Sequence, residues 1–273
     1  MNLIIFIITT FFIYANEKDV YTFKTKYKVG EMDKYTIEQL LNFEIGGYEN
    51  QQNHSYLSIE KYLGKDDGLI IIEKTITDMV ANSITMGDVS LDHAMLRLVD
   101  IPYIVYIDSS GSVENVKTEY LQYEEQVRAL EMDMSEIDNY LFPFGKNAVE
   151  IKVGDKWTEK VDSLSFFPGD GELENFISFT VEFGLDKIKR KGNRSIAYIS
   201  SKSNSRCDMI YKQDGKIFEG SMTGTSKGKH QFNIDSNKLL LAKLSMKMNW
   251  SVTFEDKTYS STMHMSTKQK KLK

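Results

Sequence analysis

Side chains that could do chemistry are widely spaced in this sequence. The four histidines lie far apart along the chain, at His54, His93, His230 and His264. None stands beside another at a spacing typical of metal ligands. The run Met263-His264-Met265 combines thioether and imidazole groups, which suit copper, but in an alternating strand His264 faces away from both methionines. We therefore predict two core methionines and one outward histidine there, and no metal site.

Catalytic signatures give no better lead. The sequence contains no HExxH, P-loop or GxGxxG motif. Gly220-Ser221-Met222-Thr223-Gly224 lacks a central serine, so we interpret it as part of a β-hairpin and expect no serine-hydrolase elbow. The loop 166–174 carries three carboxylates without the spacing of a calcium loop. We predict a protein that is not an enzyme and uses no cofactor; a hydrolase would need a pocket where perturbed acids or a histidine converge.

Apolar binding is the remaining chemistry that the residues support. The chain has 13 methionines, 15 phenylalanines and 15 tyrosines, a supply of soft and adaptable apolar surface. From Leu244 to Phe254 apolar and polar residues alternate, which predicts a strand with one buried face. We predict a candidate apolar ligand surface made of Met246, Met248, Trp250, Phe254, Met263 and Met265. The alternative is that these side chains form the core.

The first fifteen residues predict export. They are almost all apolar and carry no charged side chain, and the apolar run is too short to span a membrane. We interpret residues 1–15 as a signal peptide with a cleavage site at Ile13-Tyr14-Ala15, although no lysine or arginine precedes the apolar run. A retained anchor or a buried strand is the alternative. We expect a protein of the periplasm or extracellular space that is soluble, and not transmembrane, after cleavage.

Charge and cysteine content narrow the choice of partners. The net charge is −5, so nucleic acid is a disfavoured partner. The tail from Lys268 to Lys273 is a basic exception, which we interpret as a solvated terminus; attraction to an anionic surface is the alternative. Cys207 is the only cysteine, so no intramolecular disulfide can form and the fold must depend on its core.

Two parts of the chain look like copies of one unit. Tyr27-Lys28-Val29-Gly30-Glu31 is echoed by Ile151-Lys152-Val153-Gly154-Asp155, and Ile107-Asp108 is echoed by Ile234-Asp235. A nearly constant separation of such landmarks predicts an internal duplication. We predict a first β repeat over residues 16–113 and a second over residues 148–273.

The segment between the repeats has helical periodicity. Apolar residues recur every three or four positions at Val116, Tyr120, Tyr123, Val127, Leu130, Met134, Ile137 and Leu141. This spacing predicts an amphipathic linker helix within residues 114–147, ending before Pro143. We expect its apolar stripe to pack on a sheet; a lid over a cavity or a dimerisation helix is the alternative. The oligomeric state stays open.

A family resemblance enters at Leu141-Phe142-Pro143-Phe144 and Val153-Gly154-Asp155-Lys156-Trp157-Thr158. These segments resemble an uncharacterised family of exported bacterial envelope proteins, many of them lipoproteins, that share the VGDKW motif. The chain is more loosely similar to half-barrel carriers of lipids or lipoproteins. Frequent strand signals with hairpin-length connections predict a mainly β (α+β) fold of two repeated antiparallel sheet units joined by the amphipathic helix. The looser resemblance implies that these units are curved and half-barrel-like. This chain departs from the family because it has no lipidation cysteine.

Two hypotheses for the function follow. The first is a non-enzymatic exported envelope protein that binds a hydrophobic or lipid-like ligand on its sheet. The second is a structural or protein-interaction module that has no small-molecule ligand, whose partner is another envelope protein. An open apolar cavity would favour the first, whereas a solid core with a partner-binding edge or face would favour the second.

Overall fold

The computed structural model describes residues 20–23, 28–45, 48–84, 97–107, 113–123, 150–162, 172–173, 178–213, 216–254 and 257–272. The predicted signal peptide lies outside these residues. The first part of the chain forms β1 (Val20–Thr22), β2 (Met32–Ile45), β3 (Tyr48–Asp66), β4 (Leu69–Ile84), β5 (Tyr103–Ile107) and β6 (Val113–Lys117). The mainly β class is therefore confirmed.

The second part of the chain is also made of strands. It forms β7 (Glu150–Lys152), β8 (Lys156–Asp162), β9 (Glu172–Leu173), β10 (Ser178–Lys191), β11 (Arg194–Gln213), β12 (Lys216–Asn233), β13 (Lys238–Phe254) and β14 (Lys257–Lys271). Short turns between long strands produce antiparallel hairpins. In the tight turns, Gly68 and Gly192 have φ of 81° and 60°, a conformation that suits glycine.

One antiparallel sheet contains twelve of these strands. Its order is β6-β5-β4-β3-β2-β14-β13-β12-β11-β10-β8, and β9 pairs with β11 beside this path. The first and second parts of the chain meet where β2 pairs with β14, in register from Tyr35 opposite Lys271 to Ile45 opposite Ser261. Strands β1 and β7 form a separate two-stranded sheet. The two predicted repeats are thus hydrogen-bonded into one sheet.

Residue alternation gives the sheet two different faces. On β13 the side chains of Leu244, Met246 and Met248 are buried, whereas those of Lys243, Ser245 and Lys247 are exposed. We call the face with Met246 the inner face and the face with Ser245 the outer face. The alternation of apolar and polar residues in the sequence therefore coincides with the alternation of buried and exposed side chains in the strand.

Two apolar clusters form the core. The larger one covers the inner face of β10 to β14, where Trp157 stacks on Phe183 with ring centroids 5.6 Å apart. Phe23 packs edge-on against Phe232, at 5.8 Å between ring centroids. The smaller cluster lies on β3 to β6 and centres on Ile70, Tyr103 and Val105. Burial of this much apolar surface is the main favourable term in folding.

The turn before β2 is fixed by backbone hydrogen bonds to β3. Gly30 has φ of 81°, and its N–H donates to the Tyr62 carbonyl at 2.8 Å. The Tyr62 N–H donates to the Glu31 carbonyl at 2.9 Å. The Glu31 carboxylate accepts a hydrogen bond from the Lys28 N–H at 3.2 Å. The turn therefore sets where β2 begins against its neighbour.

The turn before β8 has the same set of contacts. Gly154 has φ of 93°, its N–H donates to the Leu185 carbonyl at 2.8 Å, and the Leu185 N–H donates to the Asp155 carbonyl at 3.1 Å. The Asp155 carboxylate accepts from the Lys152 N–H at 2.8 Å. When Gly30 is matched with Gly154, Trp157 of β8 is equivalent to Asp33 of β2, because each lies three residues after its glycine.

The predicted linker helix does not begin at Val116. That residue lies in β6, opposite Val105 of β5, and is buried in the smaller core cluster. A β-branched side chain packs well in such a cross-strand position. Beyond it, Leu121–Tyr123 forms a single 3-10 turn, and residues 124–149 lie outside the described part. Within the described part no helix is long and apolar enough to cross a membrane.

The basic tail is also placed differently from the prediction. Lys268 to Lys271 belong to β14, which pairs with both β13 and β2. Lys268 makes an ion pair of 2.8 Å with Glu38. The tail is therefore an internal strand of the sheet rather than a solvated terminus, because its alternating pattern continues that of residues 261–267.

Candidate functional site

The predicted apolar ligand surface lies on the inner face of β13 and β14. Met246 is opposite Met265 and Met248 is opposite Met263, so the strand pairing brings the four methionines together. Trp250 follows on β13, half-buried. Phe254 ends β13 opposite Lys257 in the backbone register, and its side chain lies outside the described part.

These methionines are packed in the core. The exposed fraction of the Met248 side chain is 0%, and Met246, Met263 and Met265 are buried beside it. A methionine that lined an empty, water-sized cavity would retain accessible surface. The inner face is therefore closed at this point in the structure. The prediction that Met263 and Met265 face the core, with His264 outward, is confirmed.

A second group of polar side chains lies deeper on the inner face. Ser201 Oγ is 3.2 Å from His230 Nε2, and Ser203 Oγ is 2.8 Å from Ser226 Oγ. A Cβ atom added to Gly228 would lie 2.2 Å from Ser201 Oγ and 2.8 Å from His230 Nε2. Glycine at this position is therefore what leaves room for the serine–histidine pair.

This group contains a serine motif that our sequence argument missed. Gly224-Thr225-Ser226-Lys227-Gly228 has the GxSxG pattern, but it lies in the middle of β12. A hydrolase elbow is instead a sharp strand-to-helix turn that exposes its serine. Ser226 is buried and hydrogen-bonded to Ser203. The motif is therefore a stretch of small residues inside a strand.

The serine–histidine pair is equally inaccessible. The exposed fractions are 6% for Ser201 and 1% for His230, whereas a nucleophile and its base must reach a substrate. Among the described residues no three His, Cys, Asp or Glu side chains come together to hold a metal ion. The hydrogen bond between Ser201 and His230 gives each of these two buried polar groups a partner within the sheet.

The strongest electrostatic feature is a buried ion cluster centred on Asp33. Lys238 Nζ lies 2.7 Å from Asp33 Oδ2 and 3.3 Å from Glu31 Oε2. Lys271 makes an ion pair with the other Asp33 oxygen. Asp33 is at the start of β2, Lys238 at the start of β13 and Lys271 at the end of β14. The cluster therefore ties the first part of the chain to the second.

The environment shifts the pKa values of several carboxyls, among them Asp33 and Glu159. Burial alone raises the pKa of Asp33, but hydrogen bonds and charges from Lys238 and Lys271 outweigh burial and hold this pKa below its usual value. Burial raises the pKa of Glu159 on β8. Asp33 is accordingly ionised at neutral pH and acts as the central anion of the cluster.

The outer face is open and polar. A concavity of about 500 Å³ lies over the junction of β2 and β14, and a second of about 450 Å³ lies beside it. The first is bordered by Glu38, Asn53, Lys243, Ser266 and Lys268. The second is bordered by Asn42, Glu44, Gln51, Thr262 and His264. A site for a lipid-like ligand is normally lined predominantly by apolar side chains. Most residues at these two concavities are polar, and the apolar exceptions are Leu40, Val80 and Leu244 in the first and Phe43 in the second.

Comparisons with known proteins identify no family for this chain. No family model matches it, and no curated protein matches it. One similar solved structure is a loop L8 deletion mutant of OmpT, an outer membrane protein of Vibrio cholerae, at 10% identity over 90% of this chain and 100% of that chain, with a TM-score of 0.22. A DUF1329 family protein from Desulfovibrio piger is 9% identical over 85% and 83%, with a TM-score of 0.18.

Likenesses at these TM-scores carry no weight for either fold or function. The resemblance to the envelope family with the VGDKW motif therefore stays a prediction. What the structure adds to that motif is a physical role. Gly154 and Asp155 fix the turn before β8, and Trp157 stacks in the core.

Proposed function

We propose that this chain is a non-enzymatic, exported interaction module that presents the outer face of one continuous sheet to a partner. The observation that carries the proposal is the pairing of β2 with β14. This pairing joins the two parts of the chain, and the Asp33 cluster fastens it at one end. Such a sheet holds the side chains of its faces at fixed positions, which suits a binding surface.

The packing of the two faces supports this function. The inner face has close-packed methionines and buried hydrogen-bonded serines, so it serves as core. The outer face is lined by exposed lysine, serine, threonine and asparagine side chains from β11 to β14. Polar side chains on a fixed backbone can recognise a partner without rearrangement, because little ordering is needed on binding.

We also infer that the sheet is built from two copies of one unit. The support is the matching set of contacts at Gly30 and Gly154, each with a hydrogen bond to the neighbouring strand. On this view Trp157 of the second copy occupies the position that Asp33 of the ion cluster occupies in the first copy. The acid that fastens the two units together, Asp33, belongs to the first copy.

Photocrosslinking of the full chain in its own envelope tests the proposed function. A photoreactive amino acid replaces Ser245, which is exposed in the centre of the outer face, or Asn193, which is exposed in the β10–β11 turn. We expect a specific crosslinked product from position 245 and none from position 193. Equal products from both positions, or none from position 245, would contradict the proposal.

A hydrophobic ligand remains a second candidate because of one observation. The methionine pairs of β13 and β14 continue into Leu41 and Phe43 of β2, and Phe43 is only half-buried. An apolar ligand could enter at that margin and displace the methionines, which repack easily. Native mass spectrometry of protein purified without detergent tests this. A bound lipid mass supports it, and a ligand-free mass contradicts it.

A further inference from the structure

The outer face of β11 to β14 carries a compact group of cations. They are Lys202, Lys227, Lys229, Lys243, Lys247 and Lys268, and we call them the lysine array. All but Lys268 are exposed, and Lys268 is half-buried. The group is unexpected in a chain whose net charge is −5. The array therefore concentrates one sign of charge on one face of the sheet.

Strand pairing places these lysines directly opposite one another. Lys229 of β12 is opposite Lys243 of β13, which is opposite Lys268 of β14. In the next row, Lys202 of β11 is opposite Lys227 of β12. Like charges opposite each other across a sheet destabilise it. An arrangement that costs stability in the free protein points to a use in binding.

Among the described residues, carboxylates make ion pairs with the array only at its margins. Glu38 pairs with Lys268 at 2.8 Å on one side, and Glu182 pairs with Lys202 at 3.2 Å on the other. In the part of the chain described by the structure, no carboxylate lies within 4.0 Å of the four central lysines, which are Lys227, Lys229, Lys243 and Lys247. Their charge is available to an external anion.

The residues between the lysines are small and polar. Ser245 and Ser266 lie in the row next to Lys243, and Thr225 is opposite Lys247. These short side chains leave the lysine ends as the highest points of the face. Among the described residues of these rows, no large apolar side chain stands between the lysines to enter a bilayer interior. Contact through this face would be electrostatic and reversible.

We propose that the lysine array docks this protein on the surface of an anionic phospholipid bilayer. The proposal rests on the proposed function and names the partner of the outer face. Strands lie about 4.8 Å apart and same-face residues about 6.8 Å apart, so the array extends about 14 Å in both directions. A layer of phosphate groups matches charges spread in two dimensions, whereas a linear polyanion would contact one row.

Vesicle co-sedimentation with the full chain tests the proposal. The vesicles contain phosphatidylcholine alone or phosphatidylcholine with phosphatidylglycerol, at low and high salt. We expect binding only to the vesicles with phosphatidylglycerol, and loss of that binding at high salt because the contacts are screened. Each lysine near an anionic surface strengthens binding on the order of fivefold.

The decisive variant is Lys229→Gln with Lys243→Gln. Lys28→Gln with Lys65→Gln is the control, because it removes the same charge from exposed positions outside the array. We expect binding to fall on the order of twentyfold in the first variant and to change little in the control. The circular dichroism spectrum should be unchanged, since glutamine removes a repulsion without leaving a cavity.

Two results would overturn the docking proposal. They are no binding to anionic vesicles at low salt and equal binding by the two variants. If vesicles fail and soluble heparin binds, the array is assigned to a polymer instead. If vesicles fail while position 245 still gives a specific crosslink to a protein, the interaction module stands and only the bilayer is rejected.

Discussion

Asp33 and Lys238 make a 2.7 Å ion pair across 205 positions of sequence. Their exposed fractions are 6% and 4%, so the pair is inside the protein. It forms only when the start of β2 and the start of β13 are brought to the same end of the sheet, with β14 between them. Formation of this ion pair therefore requires that the first and second parts of the chain are joined in one sheet.

Asp33→Asn should destabilise the protein by about 3–5 kcal/mol, because it leaves the buried Lys238 without its main counter-charge. Glu31→Gln is the control, since Glu31 is more exposed and lies farther from Lys238 at 3.3 Å. We expect the control to cost less than about 1 kcal/mol. Urea unfolding measures both values, and equal losses would contradict the central role of Asp33.

Acid should weaken the wild-type protein through the same carboxyl. The folded pKa of Asp33 lies below its usual value of 3.8, so the unfolded chain binds this proton more readily. The stabilisation by Asp33 is complete above pH 3.8 and is lost as the pH falls through the lower, folded pKa. The melting temperature measured from neutral to acid pH should fall more steeply for wild type than for Asp33→Asn. Parallel curves would be inconsistent with this linkage.

Gly228→Ala should be destabilising, by about 1–3 kcal/mol, because the new Cβ would overlap Ser201 Oγ and His230 Nε2. Gly184→Ala is a matched control in β10, since the nearest atoms to its added Cβ are 3.7 Å away. We expect the control to keep wild-type stability. Thermal unfolding of the two variants gives the comparison, and an unchanged melting temperature for Gly228→Ala would refute the tight packing.

Met248→Ala should cost about 2–5 kcal/mol, because it opens a cavity in the inner face. Met32→Ala is the control, since Met32 is 60% exposed, and it should stay within about 0.5 kcal/mol of wild type. Chemical unfolding measures the difference. A small loss for Met248→Ala would show that the inner face is loosely packed and would favour the hydrophobic-ligand hypothesis.

Local patterns in the sequence predicted local structure well. The alternation from Leu244 to Phe254 predicted β13, and its predicted buried face is observed from Leu244 to Met248. Met263-His264-Met265 predicted the orientation of the neighbouring strand. These predictions work because side-chain direction in a strand depends only on position along that strand.

Long-range pairing was not readable from the sequence. Nothing local to Asp33 indicates that Lys238 and Lys271 will reach it, because that depends on β14 lying between β2 and β13. The predicted helix start failed at Val116 for a related reason. Its apolar spacing suited a helix, but pairing with Val105 of β5 decided the structure. The role of the GxSxG segment likewise depends on its position in the middle of β12, which the motif alone does not indicate.

Disulfide trapping across β2 and β14 tests the joined sheet most directly. In a Cys207→Ser background, the pair Asn42→Cys and His264→Cys places two thiols opposite each other in the observed register. The pair Asn42→Cys and Ser260→Cys places them four residues out of register, beyond disulfide reach. We predict rapid, nearly complete crosslinking of the first pair under mild oxidation, seen by intact mass, and little of the second. No crosslinking of the first pair, or equal crosslinking of both, would contradict a single sheet.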